Sequence, residues 1–103
     1  MSWANAYIGR LLQGQSTKFR PKGNSMHPRI KSGELVTVVP LEDAGPICKG
    51  DMVLCQVRGS QYVHIVSAIE ENVGGTRYQI SNNHGKTNGW TTKVFGKVTK
   101  VEP

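Results

Sequence analysis

Five segments of the chain are built for pleated structure: ELVTVVP (34–40), DMVLCQVR (51–58), QYVHIVSAI (61–69), TRYQIS (76–81) and KVFGKVTKV (93–101). Each concentrates β-branched and aromatic residues, which are stiff in a helix and pack well on a pleated surface. Gly33, Gly50, Gly59, Gly74, Gly85 and Gly89 punctuate them. A further stretch, TKFRPKG (17–23), reads as a short edge strand, because Pro21 has no N–H to give to a ladder. The even spacing predicts a mainly β fold, a small barrel or coiled sheet. At 103 residues this is one domain with a modest core.

One segment breaks the pattern. In SWANAYIGRLLQG (2–14), Trp3, Tyr7, Ile8, Leu11 and Leu12 recur at helical spacing. Ser2 is placed to cap the start and Gly14 to end the helix. The expected organisation is an amphipathic helix within residues 1–14 and a β domain over 15–103. The helix is expected to dock on the domain's own core, with an exposed partner-binding face as the alternative. Arg10 alone adds positive charge to it, which disfavours a membrane surface.

Two glycine-containing turns predict the local register. RGSQ offers Gly59-Ser60 as a two-residue hairpin loop, and VGGT offers Gly74-Gly75. Cys55 then faces His64, Val66 faces Asn83 and Ala68 faces Ser81. Asn83 becomes a diagonal neighbour of His64, roughly 7–8 Å away between backbones.

The 13 basic and 7 acidic residues give a net charge of +6. That balance suits an anionic neighbour such as nucleic acid or an acidic protein. The basic residues are dispersed, however, so a solvated basic surface is the simpler expectation. Cys48 and Cys55, separated by six residues, match neither a zinc spacing nor a disulfide framework. Free thiols point to a reducing, cytoplasmic setting. No apolar run approaches the roughly 20 residues that span a bilayer, and no secretory leader is evident. His27, His64, His84 and Cys55 share no metal-ligand spacing, so neither a metal nor a cofactor is expected. Lys86 and Lys93 read as surface charges, and the GKT at 85–87 lacks the upstream glycine of a phosphate loop.

Two residues stand out chemically. Ser25 sits in GNSMHP (23–28), where Gly23 permits close backbone approach and Pro28 stiffens the exit. Such a bend can hold a hydroxyl and its own backbone N–H rigidly at a surface, the N–H serving as an oxyanion donor. His64 lies inside the apolar strand YVHIV. Imidazole titrates near neutral pH and can take a proton from a hydroxyl, which is a poor nucleophile without such a base.

The segments GNSMHPRIKSGELVTV, ICKGDMVLCQV and QYVHIVSAI, with the closing VFGKVTKV, resemble the LexA/signal-peptidase superfamily of serine peptidases. The resemblance covers about residues 18–101, and its ordered serine and G-D-x-V boxes carry it. It implies that Ser25 is the nucleophile and that Gly23 and Met26 shape the bend and the pocket beneath it. Asp51 matches an acidic residue that looks structural. His64 stands where bacterial members carry a lysine and where archaeal and endoplasmic-reticulum signal peptidases carry histidine. Those members place an aspartate in a later box, but this chain reads ISNNH (80–84), with Ser81 at that point. Asn83 or Ser81 is left to fix the imidazole tautomer, as asparagine does in Cys-His-Asn proteases. The pair Ala44-Gly45 is similar to a repressor self-cleavage site but reads as a turn.

The expected function is a serine peptidase acting on a polypeptide, in trans or on itself, through Ser25 and His64. The alternative is a peptidase-fold module that binds a partner protein with little catalysis. Nucleic-acid binding through the positive charge is the third and weakest reading.

Overall fold

The computed structural model describes residues 3–103, so Ser2, the expected helix cap, lies outside the described residues. Seven strands form one antiparallel sheet: β1 (Thr17–Phe19), β2 (Leu35–Pro40), β3 (Met52–Val57), β4 (Ser60–Asn72), β5 (Gly75–Ser81), β6 (Thr87–Thr91) and β7 (Val94–Glu102). Their order across the sheet is β1-β2-β7-β3-β4-β5-β6. Helix α1 (Asn5–Leu12) precedes the sheet, and a one-turn helix α2 (Leu41–Ala44) follows β2. The mainly β architecture with a short N-terminal helix agrees with the sequence reading. The sheet curls strongly: Thr91 Oγ1 on β6 donates to Gln56 O on β3 at 2.6 Å, although β4 and β5 separate these strands in the order.

The middle of strand β3 is buried on both faces, which explains the apolar run Met52–Cys55. Leu54 points to one side, where it joins Ile8 and Leu11 of α1, Val38 and Val98. Val53 and Cys55 point to the other side, toward Val66, Ile80 and Val94. Helix α1 therefore docks on the core. Its buried stripe is narrower than expected, because Leu12 lies on the stripe's flank and is 73% exposed. Gly96 on β7 marks the tightest approach. A Cβ there would lie 2.7 Å from both Val38 Cγ1 and Val39 O, and 3.1 Å from Leu11 Cδ1. The absence of a side chain is what lets β7, β2 and α1 meet.

Both hairpin registers differ from expectation. Strands β3 and β4 turn at Arg58-Gly59, with φ of 51° and 83°. Positive φ at both central residues is what a two-residue type I′ turn requires, and its twist matches that of the strands. Cys55 consequently faces Tyr62, and His64 faces Val53. Strands β4 and β5 turn at Val73-Gly74, where Asn72 Oδ1 accepts the Gly74 N–H at 2.9 Å. A bulge between Val66 and Ala68 shifts the register again, so Val66 faces Ile80 and Ile65 faces Ser81. Asn83 lies beyond the end of β5 and is not a cross-strand neighbour of His64 in the ladder. Strand β6 falls in a segment outside the strands expected from the sequence. The Ala44-Gly45 turn is the end of α2, where Gly45 has φ 75°.

Candidate active site

The loop between β1 and β2 carries Ser25. Gly23 has φ 97°, a conformation costly for any residue with a Cβ, and it bends the chain into the serine turn. Met26 and Ile30 are buried and anchor the loop in the core beneath α1. Within the turn, His27 N donates to Asn24 O at 3.1 Å and Ile30 N donates to Met26 O at 3.0 Å. The His27–Pro28 peptide is cis.

A second loop, residues 82–86 between β5 and β6, clamps this turn from outside. Asn83 N donates to Ser25 O at 2.8 Å, and Asn83 Nδ2 donates to His27 O at 3.0 Å. His84 Nε2 donates to Asn24 O at 2.9 Å. The clamp is itself shaped by Asn82 Oδ1, which accepts the N–H groups of His84 and Lys86. Three carbonyls around Ser25 are thereby held. The serine remains exposed, and among the described residues no hydrogen bond engages its backbone N–H.

His64 is buried on β4 and reaches the same point. Its Nε2 lies 3.0 Å from Ser25 Oγ, and its Nδ1 lies 2.7 Å from Asn88 Oδ1. An amide oxygen can only accept, so Nδ1 carries the hydrogen and the Nε2 lone pair faces the serine hydroxyl. Tyr62, two residues earlier on the same face of β4, stacks on the imidazole at 4.7 Å between centroids. Burial lowers the His64 pKa below its usual 6.5, and the hydrogen bond to Asn88 opposes that fall. The ring is thus neutral at pH 7, as a general base must be.

Asn88 was not singled out in the sequence reading, which named Asn83 or Ser81 for this role. Ser81 instead exchanges hydroxyl hydrogen bonds with Ser67 at 2.8 Å and Thr87 at 3.3 Å. Asn83 is occupied by the serine turn. The ladder explains how Asn88 arrives: Ile80 pairs with Gly89 and Ser81 with Thr87, leaving Asn88 as the extra residue of a bulge. Bulges re-aim side chains, and Gly89, with φ 135°, accommodates this one. The Asn-Gly pair within TNGWT was the available signal.

A cleft of about 490 Å³ opens beside the pair, with Ser25 and His64 among its lining residues. Met26 and Val63 contribute apolar surface to it, and Trp3, Tyr7 and Phe19 form an aromatic wall. Asp51 lies in a structural role, its carboxylate accepting Cys48 N–H at 2.8 Å and meeting Lys97 Nζ at 3.2 Å. Cys55 is buried, which pushes its thiol up to about 12 and makes it inert, while Cys48 is exposed. Among the described residues no three His, Cys, Asp or Glu side chains converge as a metal site. No described helix is long and apolar enough to cross a membrane. Comparison with known proteins gives no match to a family model, a curated protein or a solved structure.

Proposed function

We propose that the protein is a serine peptidase of the LexA/signal-peptidase type, acting through Ser25 and His64 with Asn88 as the residue that orients the imidazole. The observation that carries this reading is the relay of contacts: Ser25 Oγ to His64 Nε2 at 3.0 Å, and His64 Nδ1 to Asn88 Oδ1 at 2.7 Å. Both are within hydrogen-bond reach, and the first falls in the range of about 2.6–3.2 Å that a general base needs to take the hydroxyl proton.

In this mechanism His64 Nε2 takes the hydroxyl proton as Ser25 Oγ adds to a peptide carbonyl. Asn88 Oδ1 holds the Nδ1–H and keeps the ring in the productive tautomer. The Ser25 backbone N–H supports the oxyanion. The imidazolium then gives its proton to the departing amine, leaving an acyl-enzyme. Water, deprotonated by the same ring, releases the acyl group and restores the serine. The free thiols fit a reducing compartment such as the cytoplasm.

A second reading is a partner-binding module with slow chemistry. It is favoured by the neutral amide at Asn88, which stabilises an imidazolium less than a carboxylate would. One experiment separates them. A fluorophosphonate probe is expected to add one adduct to the wild type by intact mass, and none to Ser25→Ala or His64→Ala. A folded wild-type protein that stays unmodified would overturn the peptidase reading.

A further inference from the structure

We infer that the cleft beside Ser25 selects a polypeptide segment that carries a bulky apolar side chain with a carboxylate close to it in sequence. The inference rests on the peptidase reading and deepens it by assigning the substrate class.

The size of the cleft is the first observation. About 490 Å³ lies within the range of roughly 300–1,000 Å³ found for sites that enclose sizeable ligands. A methyl-sized side chain would leave most of the lining without contact, and a gap forfeits dispersion energy on both sides.

The wall is the second. Tyr7 and Phe19 stack at 4.4 Å between centroids, and Trp3 tilts against Phe19 at 5.5 Å. The stacking fixes these rings before any ligand arrives, so little ordering is left to be done on binding. Trp3 nonetheless remains 50% exposed and is among the residues that line the cleft. A half-open indole on a fixed aromatic wall, with Met26 and Ile30 below, fits an aliphatic or aromatic side chain.

Charge is the third. The lining includes Arg20 and Lys22 and no acidic residue. Arg20 Nη1 donates to Gly33 O at 2.7 Å, which steadies the guanidinium and leaves other N–H groups to donate. Lys22 is exposed and, among the described residues, engages no carboxylate. The net charge of +6 acts in the same direction, drawing acidic segments and repelling basic ones.

The test selects ligands from a randomised peptide library on the full-chain Ser25→Ala protein, which binds without cleaving. Enrichment of Phe, Leu, Ile, Met or Trp beside Asp or Glu is expected. Replacing the bulky residue of a selected peptide by Ala should weaken binding about tenfold or more. Replacing the acidic residue by Lys should weaken it several-fold, with the difference shrinking at high salt. Trp3→Ala in the same background should erase the bulky preference while the melting transition is kept. Enrichment of small or basic residues, or no enrichment, would overturn the inference. Fluorophosphonate labelling of the wild type is scored separately. A labelled Ser25 with no bulky-acidic preference rejects the specificity alone; an unlabelled Ser25 rejects the catalytic reading.

Discussion

Asn88 gives the site its chemical character. It contributes a neutral oxygen, 2.7 Å from His64 Nδ1, where a carboxylate would hold a charged ring more firmly. Two substitutions bracket this role. Asn88→Asp should raise the His64 pKa, because a nearby anion favours the imidazolium. Asn88→Ala removes the hydrogen bond that opposes the effect of burial, so the pKa should fall further. The acid limb of kcat/KM against pH reports the free enzyme's base. It should lie below 6.5 in the wild type, move up in Asn88→Asp and move down in Asn88→Ala. The alanine variant should also lose about 10²–10⁴-fold in kcat, since its imidazole is no longer held in one tautomer. An unshifted limb in both variants would remove Asn88 from the mechanism.

At the scale of elements, the loop after β5 matters as much as the strands. Asn83 ties down the carbonyls of Ser25 and His27 and does not touch Ser25 Oγ or the His64 ring. Asn83→Ala loses the Nδ2 bond to His27 O and is expected to lower kcat by about tenfold through misplacement of the nucleophile. KM should hardly change, and the loss of stability should be about 1 kcal/mol by denaturant titration. A proportionate rise in KM would mean that Asn83 shapes the cleft instead. Ser25 and His64 were legible in the sequence because each is locally odd: a serine between Gly23 and Pro28, and a histidine inside an apolar strand. Five strands were legible from their β-branched runs. Strand β6 was not, because TNGWT is short and interrupted by Asn-Gly, and its pairing with β5 supplies what its own sequence lacks. The hairpin registers were missed by small offsets. Arg58 takes positive φ at 51°, which a glycine-first reading of RGSQ does not suggest. The Val66/Ala68 bulge then adds a shift with no local marker. Those offsets set Asn83 beside His64, and the unread β6 hid Asn88, which meets it.

For the whole molecule, helix, serine loop and sheet share a core, since Ile8, Met26, Ile30 and Leu54 belong to one buried cluster. Site and fold should therefore respond together to pH. His64 has a folded pKa below 6.5, so the unfolded chain takes up its proton first as pH falls. The sign follows from linkage: stability is fully present above 6.5 and is lost as pH drops from there through the folded pKa. Glu70, whose pKa is lowered by its hydrogen bond from Arg77, acts only in a more acidic window, below 4.5. Urea titrations from pH 8 to 4 should show the first fall in the histidine window, and His64→Gln should flatten it. A wild-type profile that stays level across that window would contradict the burial assigned to the ring.

The bulge that delivers Asn88 lies on the outermost strand, which is held by a single neighbour in the ladder. Peripheral strands open locally at lower free energy than central ones. Gentle warming is then expected to part amide from imidazole while the interior still holds, so the turnover proposed for Ser25 should fall silent before the protein melts.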